Sequence, residues 1–241
     1  MVVFDEGINF LVPICLWFGL YRGNPGLIVN GMNLQDLFTY TFLTLILDVI
    51  SRTELTWILR RGIRSGDLAI EFLCPCPVPV SLISSDVGIV MVEIPSLLFI
   101  VLIATPFLRP VAPASVWSFV GFIFSAIMAM ILKRIIAILL GTIAFWTLEG
   151  GGLIMSASLI IDVLSGGLLP LAFYPHAFRD VLSVLPFQGL VNLPIEIYLG
   201  KVQGNQMWLS LLGQGVWTLV FVGIAALVWR TATKRFVVQG G

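Results

Sequence analysis

Apolar runs of roughly bilayer-crossing length, almost free of charge, follow one another along this chain, and that succession decides its fold class before any single residue is weighed. Only 11% of its 241 residues are charged, where a soluble domain carries about 25%. An unusually large globular core does not account for such runs. The expectation is an all-α polytopic membrane protein with six transmembrane helices, forming a single transmembrane domain over residues 1–241.

The spans are placed at 8–21, 34–51, 80–105, 114–132, 135–163 and 207–229. The first is short, about 21 Å as a helix, and needs the residues before it, thinner bilayer, or truncation. Residues 22–33, rich in Gly and Asn, read as a loop. Residues 106–113 carry three prolines and read as a tight connection. Lys133 and Arg134 are read as a turn between the fourth and fifth spans. Residues 164–205 are less uniformly apolar and dense in Gly and Pro, with short apolar pieces at 166–173 and 181–187. Neither piece crosses a bilayer alone, so the two are expected as a re-entrant or interfacial pair.

One polar island interrupts the first two thirds of the chain, at residues 59–79. Read as a helix, it lines up Leu59, Ile63, Gly66, Ile70 and Leu73 on one edge, and Arg60, Arg64, Asp67 and Glu71 on a neighbouring edge. Such a helix suits the bilayer surface, offering charge to a soluble partner. The plainer reading is a solvated loop that sets topology. Six crossings put both termini, the island and the Lys133-Arg134 turn on one side. That side then holds nine basic residues (Arg52, Arg60, Arg61, Arg64, Lys133, Arg134, Arg230, Lys234, Arg235) against four opposite (Arg22, Arg109, Arg179, Lys201). The bias places both termini and the island in the cytosol.

Several chemistries find no support. The net charge is zero, so there is no nucleic-acid footprint. The three cysteines are odd in number; Cys15 falls in a span, and Cys74 and Cys76 fall at a proline-rich turn with no histidine near, a weak case for metal. His176 is the only histidine. The start is acidic at Asp5 and Glu6, unlike a cleavable signal peptide. No GxxxxGK[ST] phosphate loop is present.

Residues 164–200 nonetheless carry a recognisable series: Ser165-Gly166-Gly167, Leu169-Pro170, Pro175, Leu185-Pro186-Phe187, Pro194 and Tyr198-Leu199-Gly200-Lys201. Gln214, Trp217, Trp229-Arg230 and Gly240-Gly241 extend it, and the island contributes Ile63 through Asp67, Leu73 and Pro75. This series resembles the ABC-2 type permease family, in particular the bacterial subgroup of daunorubicin-resistance-type drug-export permeases. Two departures are visible. Cys74 stands where the family commonly has arginine, and the amino-terminal end is shorter by several residues.

The resemblance implies the permease subunit of an ATP-binding cassette exporter in the bacterial cytoplasmic membrane. Such a chain forms half of a translocation pathway among membrane lipids, beside a second permease that is identical or homologous. Two cytosolic ATPase subunits bind the ATP and Mg, so this chain itself carries no cofactor and no catalysis. An ion-coupled carrier, a channel subunit and a membrane scaffold are the alternatives. No internal repeat favours a carrier.

Three sets of residues follow as candidates. Arg60, Arg61, Arg64, Asp67 and Glu71 would couple to the ATPase. Asp48, Glu93, Glu149 and Asp162 are acidic groups inside or near the ends of spans, where a carboxylate must face a partner, water or a membrane surface. They are read either as pathway residues or as groups bonded to neighbouring helices. Gly166, Pro170, Pro175 and Pro186 shape the broken segment, as an outward-facing re-entrant gate or as a compact outer loop.

Overall fold

The computed structural model describes residues 2–22, 28, 30–73, 75–147 and 150–234, with side chains from residue 12 onward. Its helices are α1 (Val2–Tyr21), α2 (Leu34–Ser51), α3 (Leu55–Ser65), α4 (Leu68–Glu71), α5 (Val78–Leu108), α6 (Val116–Thr142), α7 (Gly151–Ser165), α8 (His176–Val184), α9 (Asn192–Tyr198) and α10 (Gly204–Thr233). Three short 3-10 turns, Ile143–Phe145, Leu171–Phe173 and Pro186–Leu190, join some of them. The fold is all-α. Among the described residues, Val78–Leu108, Val116–Phe145 and Gly204–Thr233 are long and apolar enough to cross a membrane.

Local chemistry explains where these helices begin. Asn33 caps α2 in a reciprocal box: its side chain accepts from the Asp36 N–H, and the Asp36 carboxylate accepts from the Asn33 N–H. Ser115 does the same service for α6, accepting from the Ser118 N–H at 3.0 Å. Proline near the first turn of α5 takes a position where no backbone donor is missed.

α6 is the axis, packed by α10, α3, α9 and α2. Its buried face carries Ser118, Gly121, Ser125 and Ala129, spaced three and four apart. Small residues at that spacing let helix backbones approach, which is how helices associate where lipid is as apolar as the side chains. At Gly121 the approach is close enough that an added Cβ would lie 2.9 Å from Met207 Sδ of α10 and 3.0 Å from Ile197 Cγ2 of α9.

The bundle has two distinct ends. At one, the start of α2, the α5–α6 link and the α9–α10 link are stitched together. Gln35 donates to the Arg109 carbonyl, the Val111 N–H to Thr39, and Lys201 to the Gly31 carbonyl. Burial pulls the Lys201 ammonium below the usual lysine range, against the pull of Asp36 and Glu196. At the other end, α3 and α4 lie against the ends of α5, α6 and α10, with Trp229 meeting both Phe72 and Phe145.

Several boundaries differ from the sequence reading. Lys133 and Arg134 do not form a turn: α6 runs through them to Thr142, and α7 starts at Gly151. The expected fourth and fifth spans therefore divide about ten residues later. Their charges are tolerated inside the helix because each has an acidic partner on a neighbour. The island is not one helix either. Gly66, at φ +82°, ends α3, and α4 starts afresh. That turn breaks the expected stripe of Arg60, Arg64, Asp67 and Glu71. Leu59 is buried as expected, but Leu68 takes the second inward position, while Ile70 and Leu73 are exposed. The piece expected at 181–187 straddles the end of α8 and the next turn. Cys74 and Glu149 lie outside the described residues.

Candidate functional site

A cavity of about 330 Å³ opens between α1, α2, α6, α7 and the broken segment after α7. Apolar and aromatic groups dominate its lining, with Trp17, Leu45, Leu168 and Leu190 among them. Asp48 of α2, Lys133 of α6 and Asp162 of α7 bring three charges into it. Lys133 donates to Asp48 Oδ1 at 3.0 Å. Asp162 lines the same cavity and is exposed on the single chain, and among the described residues nothing donates a hydrogen bond to its carboxylate.

The depth of this cluster follows from helix geometry. Lys133 precedes the C-terminal end of α6 at Thr142 by nine residues, about 14 Å, and Asp162 follows the start of α7 at Gly151 by eleven residues, about 16 Å. Both stand well in from the island end of the bundle.

Polar contacts also hold the inner wall. Tyr40, 2% exposed, donates to the Gly166 carbonyl at 2.9 Å and lies 3.3 Å from Asn192 Oδ1. Asn192 Oδ1 accepts from the Leu171 N–H as well. These bonds tie α2 to the end of α7 and to α9. Gly166 is required here on two counts: its φ is +83°, and a Cβ would sit 2.8 Å from the Tyr40 hydroxyl oxygen. Behind it, Gln214 of α10 accepts from the Ser125 hydroxyl and donates to the carbonyls of Ser125 and Gly189.

Of the acidic residues singled out from sequence, Asp48 and Asp162 come together in this cavity. Glu93 does not join them: it pairs with Arg52 at 3.5 Å, between α5 and the end of α2. Of the gate residues, Gly166 ends α7, buried Pro170 lines the cavity, Pro175 precedes α8, and Pro186 opens the last 3-10 turn.

The island residues form a second site. Arg61, Arg64 and Asp67 are exposed, with Asp67 accepting from the Ser65 hydroxyl at 2.6 Å. Arg60 is half-buried, its guanidinium 5.5 Å above the Trp57 ring and against Gly151 of α7. Glu71 accepts from Ser81 of α5. The base of α3 is pinned. Asp86 of α5, 1% exposed, accepts from the Thr53 hydroxyl at 3.0 Å and the Glu54 N–H at 2.8 Å. Thr56 donates to the Ala137 carbonyl of α6.

Sequence reasoning missed the cationic partners Lys133 and Arg134 and the role of Asp86. The available signal was charge balance: carboxylates inside apolar runs call for basic partners at similar depth, and Lys133-Arg134 is a basic pair set directly between two apolar runs.

Among the described residues, no group of three or more His, Cys, Asp or Glu side chains is arranged to hold a metal ion. No curated protein and no solved structure matches the chain. A family of known sequences does match it, over residues 8–240, and that family is described as ABC-2 family transporter protein. With nearly its whole length matched, the chain belongs to the ABC-2 family of transporter permeases.

Proposed function

We propose that this chain is the transmembrane subunit of an ATP-driven exporter, supplying half of the translocation pathway while separate cytosolic ATPase subunits bind ATP and Mg. The observation that carries this reading is the island. A charged helix with exposed Arg61 and Arg64 is held at its base by Asp86 and Thr56, so a push on α3 reaches α5 and α6 directly. Membership in the ABC-2 family supports the same division of labour.

In this reading α1, α2, α5, α6, α7 with the segment after it, and α10 make six crossings, with both termini and the island in the cytosol of a bacterial cell. Moving Lys133 and Arg134 into α6, and placing Arg52 beside Glu93 at the middle of α5, leaves six of the nine basic residues at the island side against four opposite, which still supports the orientation. The segment from Gly166 through Pro170, Pro175 and Pro186 serves as the re-entrant gate, and Asp48 and Asp162 face the pathway. A second permease, identical or homologous, completes it. The Asp48–Lys133–Asp162 cluster equally suits an ion-coupled carrier, which needs no ATPase.

Purification of the tagged chain from its native membrane separates the two. An ATPase that co-purifies and is stimulated by the permease supports the exporter. Transport by the chain alone, driven by an ion gradient, supports the carrier.

A further inference from the structure

The charge count in the cavity is unequal, and its inequality has a chemical consequence. Two carboxylates and one ammonium line it. Lys133 is committed to Asp48 at 3.0 Å, so the pair is close to neutral, and the Asp162 carboxylate is left with no donor among the described residues. Asp162 is exposed on the single chain, and in the proposed six-crossing arrangement it faces the membrane interior, where an unpaired carboxylate is costly. A bound cation relieves that cost, and an ammonium adds charge-assisted hydrogen bonds.

Shape narrows the ligand further. About 330 Å³ is at the small end of ligand sites. Trp17 at one wall and Leu45, Leu168 and Leu190 around it offer apolar surface, while Tyr40 is occupied with Gly166 and Asn192 and is not free to contribute its proton. We infer that this cavity binds a small amphipathic monocation, its ammonium seated on Asp162 beside the Asp48–Lys133 pair and its apolar body against Trp17 and the leucines. This rests on the cavity lying on the transported molecule's path, and it names the class of that molecule. An anion would meet Asp162 directly, and a neutral molecule would leave its charge unrelieved.

Binding is testable without any ATPase, so its outcome is independent of whether the chain couples to one. The full-length permease in nanodiscs is captured on scintillant beads and titrated with tritiated 2-phenylethylamine, a water-soluble amine with one aromatic ring. Saturable binding is expected, displaced by unlabelled amine and at least ten-fold less well by 2-phenylethanol or 3-phenylpropionate, which keep the ring and replace the charge. Asp162→Asn is expected to weaken binding at least ten-fold. Lys133→Met, which frees Asp48, is expected to strengthen it.

Size-exclusion profiles matching the wild type show that both variants are folded, and a variant failing that check is replaced by Asp162→Ser or Lys133→Gln. No saturable binding to monodisperse wild-type permease overturns the proposal. So does equal displacement by all three compounds, which describes a groove for lipid tails. Unchanged affinity in Asp162→Asn, or weaker binding in Lys133→Met, overturns it as well.

Discussion

Asp86 Oδ2 lies 3.1 Å from Arg134 Nε, joining α5 to α6 through side chains that are 1% and 6% exposed. The contact is electrostatic more than directional: Oδ2, Nε and the Nη2 atom of Arg134 make no aligned hydrogen bond among the described residues. The other oxygen, Oδ1, is fully used by Thr53 and the Glu54 N–H at the base of α3. One carboxylate thus serves three elements.

Removing that carboxylate strands a buried guanidinium. Asp86→Leu is expected to destabilise the protein by about 3 to 5 kcal/mol, the usual cost of an uncompensated buried charge, read as a lowered unfolding temperature in detergent. Pairing it with Arg134→Met should recover part of that loss. Asp86→Asn keeps an oxygen for Thr53 and Glu54 and should fall between wild type and Asp86→Leu.

Gly141 sets how closely α3 rests on α6. A Cβ there would lie 2.9 Å from Leu59 Cβ and 3.3 Å from Thr56 Cα, and the latter is backbone that cannot rotate away. Gly141→Ala is expected to cost about 1 to 3 kcal/mol by overpacking and to reduce stimulation of the partner ATPase. Gly152→Ala, with nothing within 4 Å of its Cβ position, is the control and should change neither.

Gln214 satisfies two carbonyls and a hydroxyl in the buried space between α6, α10 and the last 3-10 turn. Gln214→Leu is nearly the same size but leaves those groups unpaired. A loss of about 1 to 3 kcal/mol per stranded group is expected. The loosened turn at Pro186–Leu190 should show faster cleavage in limited proteolysis than in the wild-type protein.

These sites differ in how far the chain's own pattern reveals them. All-α architecture was legible because apolar runs without charge leave no other option in a bilayer. Asp48 and Asp162 were legible as unusual, since a carboxylate in such a run stands out whatever its partner. Their meeting in one cavity was not, because it depends on how α2 and α7 cross. Lys133 and Arg134 misled for a physical reason: adjacent charges in an apolar run resemble a turn unless the acids that neutralise them, here Asp48 and Asp86, are known to pack alongside. The island's amphipathic stripe was readable only up to Gly66, where a left-handed residue resets the helical phase and sends Leu68 inward in place of Ile70.

Charge reversal on the outer face of α3 separates docking from folding. Arg61 and Arg64 are exposed, and among the described residues neither side chain has an ion pair or hydrogen bond, so Arg61→Glu with Arg64→Glu should shift stability by no more than about 0.5 kcal/mol. The same variant is expected to lose at least ten-fold in recovery of the co-purifying ATPase.

Coupling to a cytosolic ATPase requires α3 to face the cytosol. Ser65, exposed at the end of α3, is replaced by cysteine in a chain whose Cys15, Cys74 and Cys76 are serine, and a membrane-impermeant maleimide is applied to intact cells and to inside-out vesicles. Labelling in the vesicles alone, diminished when the purified ATPase is added, is the predicted result. Labelling in intact cells would place α3 on the outer face and contradict the coupling mechanism.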